Sequence, residues 1–87
     1  MLEIAQIKNA ILEVVRDADV KITNPPRDGL HFEAIVISSL FEGKSLVEQH
    51  QLVMHALKDL FSTTLHALSL KTYTPEEWNR ERHSTRN

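Results

Sequence analysis

Residues 31–72 read HFEAIVISSLFEGKSLVEQHQLVMHALKDLFSTTLHALSLKT, and this stretch decides the fold. It begins His31-Phe32-Glu33-Ala34-Ile35-Val36-Ile37, rich in β-branched residues, so a strand is expected over 31–38. Past Ala34 both faces of that strand are apolar, which places it centrally or under cover on both sides. Leu40-Phe41-Glu42-Gly43-Lys44 is a connector with room for a short helical turn. Ser45 stands three residues before Glu48, the spacing at which a serine hydroxyl and a glutamate carboxylate cap a helix reciprocally. The helix it opens is expected over 46–61, with Leu46, His50, Val53, Leu57 and Leu60 on one stripe widened by Met54 and Phe61. Ser62-Thr63-Thr64 ends it, and a strand over 65–72 follows, with His66, Leu68 and Leu70 on one face. Strand, helix and strand make a right-handed crossover in which the two strands run parallel. The strands that begin near His31 and His66 therefore start at the same end of the sheet. Their starts lie ~5 Å apart as neighbours, or ~10 Å apart with one strand between them.

Upstream, Ile4, Ile7, Ile11, Val14, Val15 and Ala18 recur at helical steps, which predicts a helix over 2–17. Val20 and Ile22 alternate with Asp19, Lys21 and Thr23 as a half-buried strand does. Asn24-Pro25-Pro26-Arg27-Asp28-Gly29 then turns the chain. Downstream, Thr74-Pro75-Glu76-Glu77 repeats the capping pattern with proline at the first helical position. The terminal helix carries Trp78, which is expected to lock it onto the sheet. The fold class is α/β (α+β), in the order αββαβα, with a three-stranded mixed sheet covered by helices. One domain is expected over 1–82, with 83–87 as a flexible tail.

At 87 residues the chain is too short for a second core, a lid domain or a deep cleft, which argues against a self-sufficient enzyme. Apolar residues make up 41% and charged residues 25%, ordinary for a soluble domain. The formal charge of −2 excludes the general basic footprint of a strong nonspecific nucleic-acid binder. There is no cysteine, so a thiolate nucleophile, a disulfide or an iron–sulfur cluster held by this chain alone is excluded. No apolar run approaches the ~18 residues of a membrane span, and no signal peptide is legible, so a cytoplasmic protein is expected.

Of five histidines, His50 reads as a partly buried, hydrogen-bonded core residue, His55 as solvated and His83 as part of the tail. His31 and His66 differ in sharing one sheet end, beside loops. Two imidazoles make an incomplete metal site, because structural zinc takes four ligands and catalytic zinc three; Glu33 is a weak third candidate. Gly43-Lys44-Ser45 resembles the end of a phosphate-binding loop, but the upstream glycine that motif needs is Ser38. A glycine turn feeding a capped helix is the favoured reading there. Arg80, Arg82 and Arg86 make the C-terminus locally basic.

The stretch from His31 to Trp78 resembles the BolA family. The residues that carry the resemblance are His31-Phe32, Ser38-Ser39-Leu40-Phe41-Glu42-Gly43-Lys44-Ser45, His66-Ala67-Leu68-Ser69-Leu70 and Thr74-Pro75-Glu76-Glu77-Trp78. The resemblance implies a class II KH-like fold. It also implies a non-enzymatic adaptor in iron–sulfur and iron homeostasis and stress response, partnered with a monothiol glutaredoxin. The two would share a bridging [2Fe–2S] cluster with glutathione, and no cofactor is expected on the isolated chain. The family's ligand histidine falls on His66, and the second candidate, from the subgroup with histidine before the second strand, falls on His31. Some members regulate transcription by binding DNA, so the alternative is a KH-like regulator using Lys44, Arg80 and Arg82. Two departures weaken that alternative. The segment where many members carry Arg-His-Arg reads Gln49-His50-Gln51, and the KH glycine loop lacks its second glycine at Leu46. The chain looks most like the small acid-stress-associated branch; whether the free protein is a homodimer is left open.

Overall fold

The computed structural model describes residues 3–24, 31–65 and 67–84. Helix α1 spans Ile4–Val14, strand β1 Asp19–Thr23 and strand β2 His31–Ile37. A single 3₁₀ turn at Ser39–Phe41 leads to helices α2 (Leu46–Ala56) and α3 (Lys58–Thr63), strand β3 (Ala67–Tyr73) and helix α4 (Pro75–Ser84). The strand order is β1-β2-β3, with β1 antiparallel and β3 parallel to the central β2. This is the mixed three-stranded α+β architecture expected from the crossover.

The register sorts the strand residues into two faces. Val20, Val36 and Thr72 form one row of the inner face, and Ile22, Ala34 and Leu70 the next, with Phe32 beside Leu68. On that face Val20, Phe32, Ala34, Val36 and Thr72 are buried. The helices complete the core with Ile7, Ile11, Val15, Val53, Leu57 and Phe41, all fully buried. On the outer face α4 packs against β3, where the Trp78 and Tyr73 ring centroids lie 5.3 Å apart.

Three boundaries differ from expectation for physical reasons. Helix α1 stops at Val14 rather than 17, because Asp17 turns its carboxylate to the hydroxyls of Ser38 and Ser39. The helix expected over 46–61 breaks at Leu57, whose N–H is shared between the Val53 and Met54 carbonyls at 3.2 Å each. The apolar period survives the break, since Leu57 is fully buried and Leu60 and Phe61 are half-buried. Helix α4 runs through Ser84, so His83 and Ser84 are helical.

The α2 stripe also needs correction. Leu46 is 62% exposed and Met54 38%, whereas Gln49 is 5% exposed. Leu46 shares the azimuth of Val53 but sits in the first turn, beyond the sheet. Gln49 is buried because its polar atoms are satisfied there. Its Nε2 donates to the Lys44 carbonyl at 3.0 Å, and its Oε1 accepts from the Thr72 hydroxyl at 2.7 Å. A glutamine thus ties α2 to β3 and to the loop before it.

Candidate functional site

His31 on one side, and Lys44 with Arg80 on the other, lie at opposite ends of the parallel strand pair. At the start of that pair the register aligns His31 with Ala67. Strands β2 and β3 are hydrogen-bonded neighbours, so the shorter expected spacing of ~5 Å applies to these two Cα atoms. His66 precedes Ala67 in the chain and lies outside the described residues, as does the loop 25–30 before His31. His31 is exposed and lies on the outer face, because the burial of β2 alternates from exposed His31 to buried Phe32. Glu33 shares that face one step along, ~6.7 Å away at the Cα.

The donor set at this end decides what it can hold. Among the described residues no three His, Cys, Asp or Glu side chains are grouped to bind a metal ion. The chain also has no thiol. An exposed imidazole at a strand start therefore fits a centre completed by ligands from another molecule. Among the described residues no set of metal ligands closes a site around it.

The other end, where β2 and β3 finish, is ~20 Å away at 3.3 Å per residue. There Lys44, Leu46, Gln49, Tyr73, Glu77 and Arg80 line a groove of about 550 Å³. Lys44 and Arg80, far apart in sequence, thus meet at one surface. Arg82 does not line that groove; it borders a depression on the outer face with Ile35, Lys71 and Trp78. The acids Glu77 and Glu81 line the same groove as Lys44 and Arg80. At the α2 N-terminus the Ser45 hydroxyl accepts from the Glu48 N–H at 3.1 Å, and Glu48 accepts from the Ser45 N–H at 2.8 Å. A carboxylate already occupies the helix end that an anion would seek. Gly43, with φ of +80°, supplies the left-handed turn that presents Lys44 before that cap.

The chain belongs to the BolA family. The family model for BolA-like proteins matches residues 4–77. The acid stress protein IbaG of Escherichia coli (strain K12) is 33% identical over 82 residues, covering 93% of this chain and 94% of that one. The DNA-binding transcriptional regulator BolA of the same strain is 35% identical over 74 residues, covering 85% of this chain and 70% of that one. A solved BolA protein homologue from Coxiella burnetii has a TM-score of 0.79 at 40% identity, covering 92% of this chain and 100% of that one. Relatives of this BolA-family chain are thus named as stress proteins and regulators. Among the described residues no helix is long and apolar enough to cross a membrane.

Several residues of this BolA-family chain take roles that the sequence reading did not assign. The side chain of Gln49 is committed to the core. His50 is half-buried but makes no side-chain hydrogen bond among the described residues, contrary to expectation. Asp17 clamps the 3₁₀ turn. Its carboxylate accepts from both the Ser38 and Ser39 hydroxyls and from the Ser39 N–H at 3.2 Å. Those bonds, the Ser38 hydroxyl first and then that of Ser39, hold the Asp17 carboxyl below its ordinary range. The Ser45 N–H and hydroxyl do the same for Glu48, with help from the Lys44 charge.

A carboxyl held low in the folded state stabilises the fold above its unfolded pKa, about 4 for both groups, and loses that contribution as pH falls through the folded value. Stability in urea should therefore be level from neutral pH to about 5 and decline below about 4. Asp17→Asn should flatten part of that acid limb. A midpoint unchanged down to pH 3 in the wild type would contradict the clamp.

Proposed function

We propose that this chain is a non-enzymatic cytoplasmic adaptor that docks a monothiol glutaredoxin and lends His66, with His31, to a shared [2Fe–2S] cluster. The observation that supports this reading most is the register of β2 against β3. It brings His31 beside the residue that follows His66, on a chain with no thiolate to close a site alone. When bound, such a cluster would supply one-electron chemistry and a labile iron–sulfur unit. The chain's own part is narrower. Its imidazoles must be neutral to ligate, so cluster retention weakens in acid. Replacing thiolates by imidazole on one iron raises the reduction potential.

Anaerobic reconstitution tests the reading. The chain, a monothiol glutaredoxin, glutathione, iron and sulfide should yield a coloured one-to-one complex whose visible spectrum differs from that of the glutaredoxin alone. An unchanged glutaredoxin spectrum and no co-elution would refute the adaptor reading.

A second reading, DNA binding, draws on the convergence of Lys44 and Arg80 in one groove and on the regulator among the relatives. Glu77 and Glu81 in that groove oppose phosphate. DNA retention that falls on Lys44→Ala and steeply with salt, yet survives His66→Ala, would favour it.

A further inference from the structure

The outer face of the sheet, turned away from α1 and α2, carries its own chemistry. The register sets Thr23, Glu33 and Ser69 in one row across the three strands, and Lys21, Ile35 and Lys71 in the next. Lys21, Thr23, Glu33, Ile35, Ser69 and Lys71 line a depression of about 230 Å³. The Cα atoms of Lys21 and Lys71 flank Ile35 two strand spacings apart, ~9.6 Å. Glu33 lies one row along, ~6.7 Å from Ile35, and diagonal to both lysines.

These charges are left unused by the fold. Lys21 meets Asp19 at 3.5 Å in an exposed pair of the kind that contributes little. Among the described residues Glu33 and Lys71 take part in no ion pair, although each is diagonal to an opposite charge. The result is an apolar floor with a cation at either end, a carboxylate to one side, and hydroxyls flanking that carboxylate.

We propose that this face binds a short zwitterionic peptide of about tripeptide length, with a carboxylate at each end and one free amine. An extended tripeptide spans ~10 Å, matching the Cα separation of the two lysines. Its carboxylates pair with Lys21 and Lys71, and its amine pairs with Glu33. A nucleic-acid strand fits worse, because Glu33 stands where the phosphates would pass. The site uses neither His31 nor His66, although Glu33 lies on the same sheet face one step along from His31.

Reduced glutathione has this charge pattern and is the probe. The chain has no cysteine, so no mixed disulfide can form and any binding is noncovalent. In a nitrogen-15 NMR titration of the isolated, iron-free chain, saturable shifts are expected at Lys21, Thr23, Glu33, Ser69 and Lys71, with S-methylglutathione acting alike. Lys71→Gln and Glu33→Gln should each weaken binding by up to about fivefold, the upper end for one surface ion pair, and Lys58→Gln should leave it unchanged. Core amides unmoved in each variant certify the fold. Shifts that do not saturate, that scatter over the surface, or that follow an oligodeoxythymidylate and not the peptide overturn the proposal. Because no iron is present, such a failure leaves the adaptor reading standing.

Discussion

His66→Ala is expected to remove most of the visible absorption that distinguishes the chain–glutaredoxin complex from the glutaredoxin alone. Loss of an outer partner of a metal ligand typically costs ~10–100-fold in affinity, and loss of the ligand itself should cost no less. Cluster retention on a desalting column should therefore fall more than about tenfold. His31→Ala should shift the spectrum and leave the complex coloured, because His66 remains to ligate. Far-ultraviolet dichroism of both variants checks that the sheet is intact. A His66→Ala complex that keeps the wild-type spectrum would remove this residue from the ligand set.

The second large effect concerns the scaffold. Phe41 is fully buried at the end of the 3₁₀ turn, in one cluster with Ile7, Ile11, Val36, Val53 and Leu57. Phe41→Ala removes the largest fully buried side chain and leaves a cavity, for an expected cost of ~3–5 kcal/mol. A domain of this length has roughly 4–13 kcal/mol in total at ~0.05–0.15 kcal/mol per residue. The variant should thus unfold at much lower urea with an unchanged slope, or fail to fold at 25 °C. A loss under ~1 kcal/mol would mean that the site collapses around the smaller residue. Leu40, its 47% exposed neighbour, is the control, since Leu40→Ala should cost little.

The parts of this architecture that follow local rules were legible in the sequence. Both reciprocal caps, Ser45 with Glu48 and Thr74 with Glu77, are present, the second with bonds of 2.9 and 3.2 Å. The parallel direction of β2 and β3 followed from the crossover between them; that they are neighbours, with His31 beside Ala67, came only with the strand order. What stayed hidden needed tertiary partners. Gln49 lies off the apolar stripe expected along α2, and it is buried because Thr72, on a later strand, offers its hydroxyl. Asp17 reads as the tail of a helix until Ser38 and Ser39 arrive to hold it. Lys44 and Arg80 are separated by a helix pair and a strand, so no spacing rule could bring them to one groove. The break at Leu57 was masked by an apolar period that continues straight through it.

In the proposed complex, imidazoles of this chain bind iron at the start of the parallel strand pair. Pulsed electron paramagnetic resonance of the dithionite-reduced complex, with nitrogen-15 histidine incorporated into this chain alone, reads those bonds. Labelling should convert the strongly coupled nitrogen-14 pattern to that of nitrogen-15, and His66→Ala should abolish at least one coupling. A nitrogen pattern indifferent to the label would remove this chain's histidines from the cluster.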